Sequence, residues 1–209
     1  MPENPNGKTG PRRSVLIANG FFPIPPFGLP SGKCLEAYRR SGFNTHKMAW
    51  SFSGMTDVTA YAQRISDRAK EICRRTNRPE ERIVLVGWSL GGIAAFYALK
   101  RLGLNRFANR FVSFGAPFGG SDLAYTGLPT VIYSLVGSQI RPNGPFLTDL
   151  ISGGLPNGVR CLSIGGRNDA ICPADSAQLP GAENITADFS HSSFLFNRRL
   201  HALIAENLP

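Results

Sequence analysis

Residues Arg82 to Gly103 read RIVLVGWSLGGIAAFYALKRLG. The first part, RIVLVGW, is rich in β-branched residues and shows no polar alternation, the pattern of a strand buried on both faces. LGGIAAFYALKRL, from Leu90 to Leu102, spaces its apolar residues for a helix and runs into Gly103, a helix stop. Between them lies Gly87-Trp88-Ser89-Leu90-Gly91. A G-x-S-x-G match is weak by itself in a chain with 23 glycines. Its position where a strong strand meets a strong helix is what gives it meaning. Such a turn lifts a serine Oγ above a sheet edge, and the helix N-terminus aims backbone N–H groups at any negative charge that develops there.

Working outward, SVLIANG (14–20) reads as a buried strand followed by the proline-rich loop FFPIPPFGLPSG, and a short helical pattern runs from Lys33 to Arg40. THKMAWSF (45–52) reads as a second strand, and a helix begins after Asp57, a fitting N-cap. RFVSFG (110–115), VRCLSIGG ending at Gly166, and ENITADF (183–189) supply three more strands, and SFLFNRRLHALIAENL closes the chain as an amphipathic helix. Strands alternating with helices, several apolar on both faces, predict an α/β architecture: about six mainly parallel strands with helices on both faces. Length predicts a single domain over 1–209. Between Gly119 and Asn157 the alternation lapses, and PTVIYSLVGSQI and PFLTDLIS read as two short helices. The stretch 119–157 is expected to be a small lid-like insertion over the carboxyl ends of the strands, where ligands bind in such sheets.

A neutral serine needs a base and an orienting carboxylate. Only three histidines are available. His46 falls within the second strand and His201 within the last helix, where a core or surface role suits both. His191, in DFSHSSFL, follows the last strand directly and so sits at the same sheet edge as Ser89. Asp169, in GGRNDAICP, follows the strand ending at Ile164-Gly165 and reaches that edge too. Asp122 is the reserve carboxylate. The order Ser89, Asp169, His191 predicts a serine triad. The oxyanion donors are then the backbone N–H groups of Leu90 and of Phe21, in the loop after the first strand.

These elements resemble the α/β-hydrolase superfamily, and within it the small bacterial lipase and esterase family. The matching segments are VLIANGF (15–21), LVGWSLGG (85–92), FGAPFGGS (114–121), GPFLTDL (144–150), and SIGGRNDAICP followed by LPGAENITADFSHSSFL. The resemblance implies carboxylic ester hydrolysis, with Ser89, Asp169 and His191 at the triad positions and Phe21 and Leu90 at the oxyanion positions. Asn19 departs from it, standing where such enzymes usually carry histidine before the glycine. Phe22, Trp88, Phe118 and Phe146 are the aromatic residues expected against the substrate. The apolar residues of the 21–27 loop and the insertion would form an acyl-binding rim, or would simply pack the insertion onto the domain, and the sequence leaves both open.

The remaining composition narrows the partners. The chain's net charge is +9, and its densest run of charges, seven cations against four carboxylates, falls between Arg64 and Arg82, opposite an apolar stripe of Val58, Tyr61, Ala62, Ile65, Ala69 and Ile72. This is the pattern of a solvated helix face, and no nucleic-acid motif accompanies it. Cys34, Cys73, Cys161 and Cys172 fit no zinc or redox spacing and read as buried thiols, with a Cys161–Cys172 bridge as the minority alternative. No cofactor or metal is implied. No transmembrane run or signal-peptide core is present, so a cytoplasmic chain is expected, with secretion of a processed form left open. The function read from the sequence is therefore a serine hydrolase acting on an acyl ester, lipid or simpler. Acyl transfer by the same triad, or a non-catalytic binding domain of the same fold, are the alternatives.

Overall fold

The computed structural model describes residues 13–20, 31–48, 57–76, 82–122 and 136–208. Six parallel strands form one sheet: β1 (Ser14–Ala18), β2 (Asn44–Lys47), β3 (Ile83–Trp88), β4 (Ala108–Phe114), β5 (Arg160–Gly166) and β6 (Glu183–Ala187), in the order β2-β1-β3-β4-β5-β6. β1 and β3 are buried along their whole length, while β2 and β6 at the edges are partly exposed. Position in the sheet explains this, because only the inner strands are covered on both faces.

The covering helices are α1 (Ser31–Arg40), α2 (Val58–Thr76), α3 (Leu90–Arg101), α4 (Pro145–Ile151), α5 (Ser193–Phe196) and α6 (Arg198–Glu206). Strand alternation sorts the core into two layers. Leu16, Leu85 and Phe111 pack against α2 and α3 through Ile65, Ile72, Ile93 and Phe96. Val15, Ile17, Val84, Val86 and Phe114 pack against α1, α5 and α6 through Tyr38, Phe194, Leu200 and Ile204. Burying each such side chain contributes about 1.5–3 kcal/mol, so it is the apolar strands that hold the sheet between its helices.

The predicted stripe on α2 is the buried one: Val58, Tyr61, Ala62, Ile65, Ala69 and Ile72 all face the sheet. Asp57 caps the helix by accepting from the Thr59 N–H at 2.8 Å. Gly103 takes a left-handed φ of 68° just past α3. All four cysteines are free, and burial pushes the Cys34, Cys161 and Cys172 thiols up to about 12.

Three expected boundaries differ. The final helix is broken at Asn197, whose Oδ1 accepts from Arg199 N–H at 2.9 Å and Leu200 N–H at 3.3 Å, making it the N-cap of α6. β6 ends at Ala187 because Asp188 turns out to pair with Arg167 at 2.8 Å. β2 stops at Lys47, and residues 49–52 of the predicted strand lie outside the described residues. The second part of the predicted insertion lies along the distal half of α3. Phe146 stacks on Tyr97 at 5.7 Å, and Arg101 pairs with Asp149 at 2.7 Å. Asn105 Nδ2 donates to Asn157 O at 3.3 Å. Residues 123–135 of the insertion are outside the described residues.

Candidate active site

The chain runs from β1 to β2 on one side and then to β3 on the other, so the sheet reverses direction between β1 and β3. In a parallel sheet the crevice outside the carboxyl ends of such a pair is where ligands bind. Ser89 follows β3 at that point. Its backbone sits at φ 53°, ψ −129°, a conformation side-chain-bearing residues rarely adopt. Two bonds hold it there: Ser89 N–H donates to Phe114 O at 2.9 Å and Gly92 N–H donates to Ser89 O at 2.9 Å. The glycines are required by contact. A Cβ on Gly91 would lie 2.2 Å from Ala18 O, and one on Gly20 would lie 2.7 Å from Ser89 Cβ. The loop after β1 therefore passes directly beside the serine.

Asp169 and His191 arrive from the loops after β5 and β6. His191 Nδ1 and Asp169 Oδ2 are 2.8 Å apart, with the carboxylate side chain fully buried and the imidazole 11% exposed. Asp169 Oδ1 accepts from the Ile171 N–H at 2.9 Å and the Cys172 N–H at 2.7 Å. One oxygen fixes the loop and the other faces the imidazole. The two loops are also tied by their backbones, since Asn168 N–H donates to Phe189 O at 3.1 Å. Of the other candidates, Asp122 is exposed. His201 is buried with Nε2 2.7 Å from Phe194 O, and His46 lies on edge strand β2. Among the described residues, the Ser89 side chain makes no hydrogen bond to His191. Such contacts are often long without substrate.

The aromatic residues expected against substrate are placed differently. Trp88 is 2% exposed and Phe118 1%, so neither presents a face to a ligand. Trp88 instead holds the histidine loop: its Nε1 donates to His191 O at 3.2 Å, its ring lies 5.5 Å from the imidazole, and Phe194 stacks on it at 5.3 Å. Phe118 packs edge-on against Phe96 at 5.4 Å. Phe146, on Tyr97, stands about 12 Å along α3 from Ser89, eight residues at 1.5 Å each. Phe21 and Phe22 lie outside the described residues. Leu90, the first residue of α3, is in place beside Ser89.

One residue the sequence reading passed over is Gly115, at φ 53° after β4. A Cβ there would come within 2.9 Å of Asp169 Oδ2 and 3.1 Å of His191 Nδ1. Its only signal was a glycine directly after a strand. Among the described residues, the Asn19 side-chain oxygen is buried without a partner, while its backbone O accepts from Tyr61 Oη–H at 3.0 Å.

Solved structures match this fold over nearly the whole chain. The lipase BlEst2 of Bacillus licheniformis in its mature form aligns with a TM-score of 0.71 at 16% identity, covering 92% of this chain and 91% of that one. Lipase B of Aspergillus fumigatus aligns with a TM-score of 0.73 at 18% identity over 96% of this chain. The chain has the α/β-hydrolase fold. The monoacylglycerol lipase of Paleococcus ferrophilus aligns with a TM-score of 0.63 at 15% identity, covering 92% of each chain. The chain spans 53% of the Aspergillus lipase and 50% of BlEst2 in its propeptide form. The profile of the lecithin:cholesterol acyltransferase family matches residues 49–130, the stretch that carries Ser89. Comparison with curated protein sequences returns no match. Among the described residues, no helix is long and apolar enough to cross a membrane, and no cluster of metal-ligating side chains is present.

Proposed function

We propose that this chain is a serine hydrolase that cleaves carboxylic esters, with Ser89 as nucleophile, His191 as base and Asp169 as the carboxylate that orients it. The observation that carries this reading is the 2.8 Å Asp169–His191 pair at the same sheet edge as a serine held at positive φ. As Ser89 Oγ attacks the ester carbonyl, His191 Nε2 takes its proton and Asp169 stabilises the imidazolium. The tetrahedral oxyanion is held by the N–H of Leu90 and by that of Phe21, and the resulting charge also lies at the N-terminus of α3. The imidazolium then protonates the departing alcohol, leaving an acyl-serine. Water, deprotonated by His191, releases the acid.

Exposure to a fluorophosphonate tests this directly. Intact-mass measurement is expected to show a single adduct, absent from Ser89→Ala. No adduct, or one that persists in Ser89→Ala, counts against the mechanism.

The match to an acyltransferase family supports a second reading, in which an alcohol other than water accepts the acyl group. A p-nitrophenyl ester supplied together with an alcohol separates the two by product. Hydrolysis gives mainly the free acid. Acyl transfer gives mainly the new ester even with water in large excess, and that outcome would replace the first reading. Varying the acyl length in the same assay reports whether the lipase names borne by the similar structures extend to lipid esters here.

A further inference from the structure

At the amino end of the sheet, on the side away from Ser89, the start of β1 and strand β2 line a cleft of about 530 Å³ with the last turns of α1 and α2. Ser14 opens β1 and Gly20 touches Ser89, so the two sites are about 20 Å apart, six residues at strand rise. Arg39, Arg68 and Arg75 line the cleft together with His46. Glu71 pairs with both Arg68 at 2.6 Å and Arg75 at 2.5 Å. Among the described residues Arg39 has no ion pair, so three guanidiniums share one carboxylate. Basic last turns are by themselves accounted for by the helix dipole. One hydroxyl in the same cleft is not. Ser14 is 1% exposed, and among the described residues its Oγ has no hydrogen-bond partner. Alternation puts it on the face of the sheet that carries Leu16 and His46, the side of Arg68 and Arg75. A buried polar atom is normally satisfied, so an unpaired one beside a concave cluster of cations asks for an acceptor.

We propose that this cleft binds an oxyanion of the phosphate type, carried by a small soluble molecule or by a lipid headgroup. The excess of two positive charges matches a phosphate dianion, and guanidiniums bind such oxygens through paired N–H groups. The Ser14 hydroxyl can donate one bond to the anion. His46 is held neutral as a further donor: its burial, and then the charges of Arg68, Arg39 and Arg75, keep it below the ordinary histidine range. The site is separate from Ser89 and stands whether or not Ser89 is a nucleophile.

Inorganic phosphate is the first probe, titrated at low ionic strength while the histidine ring resonances are followed by NMR. Saturable movement of the His46 signals is expected, with those of His191 unmoved. Arg39→Gln and Arg75→Gln, both at exposed positions, are expected to weaken binding about tenfold each. Arg40→Gln is the control, since Arg40 pairs with Glu36 and does not line the cleft. Ser14→Ala is expected to weaken binding without a change in charge. Vesicles of phosphatidylcholine with and without phosphatidate then identify the source. Retention by the phosphatidate vesicles that free phosphate displaces assigns a lipid headgroup, and phosphate binding without retention assigns a soluble ligand. Absence of saturable phosphate binding, or an equal loss in Arg40→Gln and Arg39→Gln, overturns the proposal.

Discussion

Ser89→Ala and His191→Ala are each expected to lower kcat for a p-nitrophenyl ester by about a millionfold, and the double variant to lower it no further. The two side chains act as one unit, because an unprotonated imidazole without a nucleophile, or a serine without a base, performs no part of the step. What survives should be the slow reaction of bound water, helped by the oxyanion donors. Steady-state rates with circular dichroism as a folding control make the measurement. Losses that multiply in the double variant would mean two separate contributions and would sink the shared mechanism. Ser89→Gly adds a readout specific to the turn. A side chain held at φ 53°, ψ −129° costs on the order of 1–3 kcal/mol, whereas glycine loses about 0.5–1 kcal/mol through its freer unfolded chain. Strain relief is the larger quantity, so Ser89→Gly should be inactive yet melt higher than Ser89→Ala. A lower melting point would mean that the turn is unstrained.

Much of the fold was legible because the inner strands are buried on both faces and carry the strongest pattern. RIVLVGW leaves little choice of element, and its junction with LGGIAAFYALKRL placed the turn to the residue. The edges were less legible. Nothing in THKMAWSF marks where a half-exposed strand stops, and the end of ENITADF depended on Asp188 meeting Arg167, a partner 21 positions earlier in the chain. Asn197 was a readable cap inside the last helix, but the apolar spacing on either side of it concealed the break.

For the candidate site, chain order and strand ends were enough to bring Asp169 and His191 to one edge, since a parallel sheet delivers every such loop to the same side. Orientation was not available in this way. Trp88, Phe118 and Phe146 are apolar neighbours of the motifs, and hydrophobicity alone gives the same signal for a ring in the core and a ring in a binding rim. Strand alternation could have found Trp88, because it lies two residues from Val86 and four from Val84, which share its face. The basic cleft at the opposite end was hidden for another reason. Its arginines read as a solvated helix face, and only the tertiary approach of β1 and β2 puts Ser14 and His46 beside them.

Asp169→Asn is expected to lower kcat by about ten-thousandfold while the fold is kept. The two carboxylate oxygens have separate partners, and that is why asparagine is the informative replacement. The oxygen accepting from Ile171 and Cys172 N–H groups can remain an oxygen, so the loop is retained. The amide nitrogen then takes the place of Oδ2, 2.8 Å from His191 Nδ1. An N–H donor there requires Nδ1 to accept, which moves the imidazole proton to Nε2, the atom that must take the proton from Ser89. The base is thus present in the wrong tautomer, and no charge remains to stabilise an imidazolium. Asp169→Ala would confound the reading by orphaning two backbone N–H groups at about 1–3 kcal/mol each. Asp122→Asn, on an exposed carboxylate, is expected to stay within a factor of two of the unaltered protein. Rates measured on both variants decide the assignment: near-full activity in Asp169→Asn with a collapse in Asp122→Asn would transfer the carboxylate role to Asp122.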